Sequence, residues 1–210
     1  MGLSPQNRER DYMKLEKSDP KIIEMAHAHK ADWNSMPLRM RTAAMCKVAV
    51  LQYGAPLSWV PAKHRTLEVC QAALSNEDFY LRYVPEQLRD YDLCMAAVSR
   101  DGWDLNEVPT PLRDLKMCMV AVHNDGWALQ AVPEQYQTYA TCLAAVENDG
   151  LVLEIVPKTL HCPDLYMAAV RSDGLALMLI EEEERTPAVC AAAVSNNPKA
   201  RQYDPKDPTF

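Results

Sequence analysis

The sequence predicts an all-α chain, a right-handed-type α-solenoid of 24-residue helix-turn-helix repeats. Three observations predict it. Proline at 61, 85, 109, 133 and 157 and cysteine at 46, 70, 94, 118 and 142 keep one 24-residue period. Leucine at 57, 81, 105, 129, 153 and 177 is followed three residues later by Val60, Val84, Val108, Val132, Val156 and Ile180, the spacing of one face of a short helix. The stretch that would hold the strand, CMAAVSRDG from Cys94 and CLAAVENDG from Cys142, is alanine-rich and helical in spacing, which argues against the strand half of a leucine-rich repeat. A period of this length means stacked supersecondary units that share one core.

In chain order, residues 1–17 form a polar N-terminal segment. It has no apolar stretch of secretory-signal type, and Gln6 stands where the myristoylation pattern after Gly2 wants Ser or Thr. Residues 18–30 follow as a capping half-repeat, in which Ser18, Asp19 and Pro20 precede Ile22, Ile23, Met25 and Ala26. Seven repeats span 31–198 without insertion, at 31–54, 55–78, 79–102, 103–126, 127–150, 151–174 and 175–198. Within each, a short first helix ends at a proline turn. A longer second helix then starts behind Thr42, Thr66, Asp90, Asp114, Thr138 or Thr186, whose side-chain oxygen can accept an orphan amide hydrogen of the first turn. That helix is apolar on two sides, as an inner helix between neighbouring repeats must be. Gly54, Gly102, Gly126, Gly150 and Gly174 are expected to close the units in the left-handed conformation, with Asp101, Asp125, Asp149 and Asp173 capping the next short helix. Glu181 to Glu184 read as a solvated end, and 199–210 as a disordered polar tail.

A net charge of −7 argues against the basic surface that nucleic-acid binding needs, so no nucleic acid is expected as a partner. No apolar run approaches the length of a membrane span, so no membrane partner is expected either. There is no HExxH, glycine-rich phosphate loop, CxxC or GxSxG. The five histidines do not cluster. The expectation is no cofactor, no metal and no catalytic residue.

The string AVSRDGWDLNEVPTPLRDLKMCMVAVHNDGWALQAVP is similar to a family of bacterial tandem helical repeats, a domain of unknown function with the hallmark AVxxNGxALxxxxxxLxxDxxxxxxAVxxNG. The resemblance covers about residues 31 to 197. It implies the helical repeat fold and an effector-like setting, and it brings no site residues with it. The Val-Pro step and the cysteine column are departures from that pattern.

The cysteine column, continued at Cys190 and interrupted by Tyr166, reads as core, because stacked helices lie farther apart than a disulfide spans. Unpaired thiols suit a reducing cytosol. Arg41, Arg65, Arg89, Arg113 and Arg185 form a further column, with Gln137 and His161 in its gaps. It reads either as a stripe gripping an acidic partner or phosphate groups, or as a ladder tying turn carbonyls or the periodic aspartates. Phe79, Trp103 and Trp127 share a column expected to be core. Trp59 and Tyr83 begin a column that runs on through Glu107, Ala131, Ile155 and Leu179, and such variable positions are where solenoids place recognition. Trp59, Tyr83, His64, Gln87 and Gln135, with Arg41, Arg65, Arg89 and Arg113, are therefore the candidate partner-binding residues. The expected function is a non-catalytic protein-protein interaction module, a cytoplasmic monomer acting as a bacterial effector or adaptor, in the host cytosol if translocated. The alternatives are an immunity protein that neutralises a toxin or enzyme, and a small cryptic enzyme.

Overall fold

The computed structural model describes residues 41–76 and 79–205. The segments 1–17 and 18–30 and residues 31–40 of the first repeat lie outside the described residues. The described residues form α-helices and 3-10 helices, with no strand among them. The chain divides into two compact units, residues up to Leu93 and residues from Cys94 onward.

In the first unit, α1 (Ala43–Tyr53) packs on α2 (Leu67–Ala73). Four short 3-10 turns, Leu57–Trp59, Ala62–His64, Leu81–Tyr83 and Glu86–Leu88, stand between and after them, and the unit boundary falls inside α3 (Tyr91–Val98). The second unit continues with α4 (Leu115–Asn124), α5 (Tyr139–Asn148), α6 (Pro163–Ser172) and α7 (Pro187–Asn196), each packed on the next. The 3-10 segments Gly102–Glu107, Gly126–Ala131, Gly150–Ile155, Gly174–Leu179 and Pro198–Tyr203 stack beside the α-helices in the same order.

In the repeats from 55 onward, the first helix is 3-10 rather than α. An i, i+3 apolar pair fits both forms, but 3-10 geometry places those two side chains one above the other and suits a short piece. Leu105 and Val108 are both buried, and the Val108 amide closes the segment on the Leu105 carbonyl. Val108 itself is extended, as the residue before a proline must be. A second 3-10 turn follows each proline, for example Thr110–Leu112, where a plain turn was expected.

The caps stand where the spacing puts them. Thr42, Thr66, Asp90, Asp114, Thr138 and Thr186 each accept from the amide three residues on. Asp101, Asp125, Asp149 and Asp173 each accept from the amide two residues on and so start the next 3-10 segment. The core is the predicted one: the leucine column from Leu57 to Leu177, the cysteine column and the Ala-Val pairs behind it as far as Ala169 and Val170 are buried. Burying one such leucine contributes roughly 2 kcal/mol.

Three expectations are corrected. Gly54 alone among the described residues has positive φ, at 65°. The glycines at 102, 126, 150 and 174 are required for close approach instead: an added Cβ would stand 2.2, 2.5, 2.2 and 2.3 Å from the carbonyl oxygens of Ala121, Ala145, Ala169 and Ala193 in the next α-helix. Trp103 is 46% exposed rather than core, while its column mate Phe79 is buried. The chain after 198 is not a featureless tail, since Pro198–Tyr203 forms a 3-10 helix capped by Asn197, with Ala200 fully buried. Pro205 resumes the 24-residue proline register that Glu181 interrupts.

Candidate binding surface

The arginine column is a ladder. Arg113 lies between the two 3-10 segments of one repeat and the α-helix, and its guanidinium has carbonyls on three sides. Nε donates to Val108 O at 2.9 Å, Nη1 to Ala131 O at 2.8 Å in the next repeat, and Nη2 to Asn106 O at 3.1 Å. Arg65 repeats the pattern to Val60 and Tyr83, and Arg185 to Ile180 and Tyr203. Arg41, itself buried, reaches Trp59 O at 2.7 Å, and Arg89 reaches Val84 and Arg82. The forks that would grip a partner are committed to turn carbonyls, each bond to a charged donor contributing about 1.5–3 kcal/mol. The aspartates that could have paired with them serve as caps.

A second ladder went unread in the sequence. Asn76, Asn124, Asn148 and Asn196 share one column at the far end of the α-helices. Asn148 Nδ2 donates to His123 O at 2.8 Å, while its Oδ1 accepts from the Gly126 amide at 2.8 Å. Asn196 does the same with Arg171 and Gly174. Asn124 donates to Val98 and Ser99, and Asn76 to Val50 and Ala55. Arg41, Arg65, Arg113 and Arg185 thus tie their repeats to the one after, and Asn76, Asn124, Asn148 and Asn196 tie theirs to the one before.

The irregular stretch runs from Gln137 to Tyr166. Gln137 and His161 keep the bond to the carbonyl five residues back, at 3.0 and 3.2 Å. Cys162 stands at the cap of α6 without a side-chain cap bond. The His161 ring meets Tyr166 edge-on at 5.6 Å, and burial holds His161 below the usual imidazole range. Tyr166 fills the cysteine column and is 6% exposed. Burial pushes the thiols of Cys46, Cys70, Cys118 and Cys142 up to about 11, so they are neutral packing groups.

With the ladders accounted for, the remaining surface side chains fall into place unit by unit. In the first, Trp59 and Tyr83 are half-buried, each ending a 3-10 turn and each held through its carbonyl by the arginine of the preceding repeat. The Tyr83 ring lies edge-on to Tyr80 at 6.3 Å, with Arg82 5.1 Å and Arg65 5.6 Å from its centroid. His64, held below the usual imidazole range by burial and then by Lys63, lines a groove of about 170 Å³ between α1 and α2 with Lys47, Leu51 and Glu68. Lys47 and Glu68 pair across it. Gln87 is exposed on Glu86–Leu88, and the structure places Gln135 in the second unit, exposed on Glu134–Tyr136.

The second unit carries two grooves on its α-helices, one mainly apolar and one of mixed lining, which sequence reading also missed. Leu115, Lys116, Met119, Val120 and His123 line one of about 810 Å³. Tyr139, Leu143, Glu147, Asp164, Met167 and Arg171 line another of about 600 Å³. Leu115 and Tyr139 are 45% and 38% exposed and occupy the position directly behind the cap. That column reads Leu67, Tyr91, Leu115, Tyr139, apolar where a first helical turn facing water would be acidic, and this was the available signal.

No family model, curated protein or solved structure matches the chain. Among the described residues no three His, Cys, Asp or Glu side chains are grouped to hold a metal ion, and no helix is long and apolar enough to cross a membrane.

Proposed function

We propose that the chain is a right-handed α-solenoid of 24-residue repeats and works as a non-catalytic protein-interaction module, an adaptor or effector of the bacterial cytosol or of a host cytosol. One observation carries this reading. The periodic residues are consumed by core, caps and ladders, while the grooves on the α-helices are lined by side chains that change from repeat to repeat, from Lys116 and His123 to Glu147, Asp164 and Arg171. A constant frame with a lining that varies in apolar and charged side chains is the arrangement that recognises another polypeptide rather than transforms a small molecule. Trp59, Tyr83, His64 and Gln87 in the first unit and Gln135 in the second are further contact positions, and the arginines support them from beneath.

The test is crosslinking and affinity capture with the whole chain, followed by titration of the captured protein against Leu115→Asp and Tyr139→Asp. Both substitutions leave every cap and ladder bond in place. Each is expected to weaken the complex at least about tenfold. Capture of no protein, together with turnover of a substrate by the purified chain, would reject the proposal.

A further inference from the structure

The arginine rung answers a need that the backbone creates. Each proline removes the amide that could otherwise bond the carbonyl three residues back. Asn106 O, three before Pro109, is such a carbonyl, and it accepts from Nη2 of Arg113 at 3.1 Å. Ala131 O, at the end of the next long 3-10 segment, accepts from Nη1 at 2.8 Å. One repeat on, the matching carbonyls are those of Gln130, three before Pro133, and of Ile155. Among the described residues no amide and no side chain donates to either.

Gln137 ends where the guanidinium of an arginine would begin. The two side chains place a nitrogen the same number of bonds from Cα, and Gln137 Nε2 donates to Val132 O at 3.0 Å as Arg113 Nε does to Val108 O at 2.9 Å. What glutamine lacks is the planar pair of terminal nitrogens. In their stead it carries Oε1, an acceptor with no donor among the described residues. Three acceptors thus belong to one place: Gln130 O, Ile155 O and Gln137 Oε1. Gln137 and Ile155 are half-buried and Gln130 is exposed, so water and solutes reach it. The 3-10 segments that frame it, Gly126–Ala131, Glu134–Tyr136 and Gly150–Ile155, carry exposed Glu134 and Glu154 and neither Lys nor Arg, a setting that favours a cation. His161, at the same position one repeat further, is a rigid ring set edge-on to Tyr166 and brings no such oxygen.

We propose that Gln130 O, Ile155 O and Gln137 Oε1 receive a guanidinium from outside the chain, the side chain of an arginine on the polypeptide that this module binds. At Arg113 the chain supplies that fork itself; at Gln137 the partner completes the rung. Lysine suits the place less, because a compact ammonium does not present planar donors to two carbonyls carried on neighbouring repeats. The inference rests on the reading of the chain as a protein-interaction module and adds what its partner must carry, an accessible arginine.

Methylguanidinium chloride is the probe, titrated to about 50 mM into the isotope-labelled whole chain and followed by amide NMR, with methylammonium chloride at the same concentrations controlling for charge and ionic strength. The Gln137 side-chain amide and the backbone amides of Ala131 and Val156, which adjoin the two carbonyls, are expected to shift saturably with a Kd of about 10 mM, and methylammonium to bind at least about fivefold more weakly. Gln137→Arg closes the rung from within and is expected to abolish the saturable shift, with circular dichroism reporting the fold. Arg113→Ala tests the arrangement without that variant: it bares Asn106 O and Ala131 O, and methylguanidinium is expected to raise its urea midpoint where methylammonium does not. No saturation in the wild-type chain, saturation that survives in Gln137→Arg, equal binding of methylammonium, or no rise for Arg113→Ala overturns the proposal. For a captured partner protein, Gln137→Arg is expected to weaken the complex about tenfold, and an unchanged complex overturns the assignment to a partner's arginine. The titration needs no partner, so it can fail while the module still binds a protein. Saturation by methylguanidinium with no protein captured overturns the partner and leaves the site to a free guanidinium compound.

Discussion

The repeat around Arg113 and the stretch from Gln137 to Tyr166 belong to the same unit, share the same backbone and are held differently. Arg113 spans two repeats with three bonds. Gln137 and His161 occupy its position in the next two repeats, and the bonds they make stay within their own repeat. The longer side chain sets both the shape of the turn and its attachment to the neighbour, whereas the shorter ones set the shape alone. At the same place Cys162 withholds the cap that Asp114 and Thr138 supply. The irregular stretch is therefore the weaker seam of the second unit, held by the glycine approach, the asparagine ladder and the fit of Tyr166 into the core.

That contrast can be broken first at the glycines, which both regions use alike. Gly126→Ala and Gly150→Ala each drive a Cβ into a carbonyl oxygen at 2.5 and 2.2 Å, and each is expected to lower unfolding stability by about 3 kcal/mol or more in urea titrations. A tolerated alanine at 150 alone would mean that the irregular stretch can open where the regular one cannot. Next in size, Arg113→Ala leaves three carbonyls without their charged donor and is expected to cost about 2–4 kcal/mol, while Gln137→Ala costs about 1 kcal/mol, both read from the same titrations. Equal losses would remove the distinction drawn here.

The distinction also has a pH signature. The Cys118 and Cys142 thiols titrate near 11 in the fold against an ordinary 9.0, so above pH 9 the unfolded chain gives up protons before the folded one does. Their contribution is complete below about pH 9 and is lost as pH rises from 9 toward 11. Tyr166, in the same column, is pushed above its ordinary 10.0 by burial first and then by Glu184 and Glu181, so the irregular repeat responds later. Urea midpoints are expected to fall between pH 8.5 and 10.5, and Cys118→Ala is expected to flatten the slope. The smallest effect sharpens the comparison: Cys162→Thr restores a cap and Gln137→Arg a rung, each expected to raise stability by about 1 kcal/mol, read as a higher urea midpoint.

What the sequence disclosed depended on how many atoms each decision involved. A cap needs one side-chain oxygen at one offset, so Thr42 through Thr186 could be placed from spacing. The cysteine column follows from helical period and volume in the same way. The choice between α and 3-10 for Gly102–Glu107 rests on where the chain must be when it reaches Pro109, and an i, i+3 pair carries no record of that. Glycine was read for its freedom of φ when its lack of a Cβ was the property in use, because the oxygen it avoids lies nineteen residues further on. The asparagine ladder was present as a column but hidden beside the more conspicuous Asp-Gly step. The α-helix grooves were hidden for a different reason: whether Leu115 is core or surface depends on how the neighbouring helix is turned. Trp103 fell to the same uncertainty, exposed where Phe79 is covered.

The ladders have a consequence for how such a chain can change in length. The ladder ties run at set counts, eighteen residues forward from arginine Nη1 and twenty-five or twenty-six back from asparagine Nδ2. Inserting or removing 24 residues leaves all those counts intact, whereas any other number moves a guanidinium or an amide away from its carbonyl throughout the join. The gene can therefore lengthen or shorten this protein in whole repeats while the bonding pattern of the remainder stays as it was. The number of grooves can drift in evolution without any one of them being rebuilt.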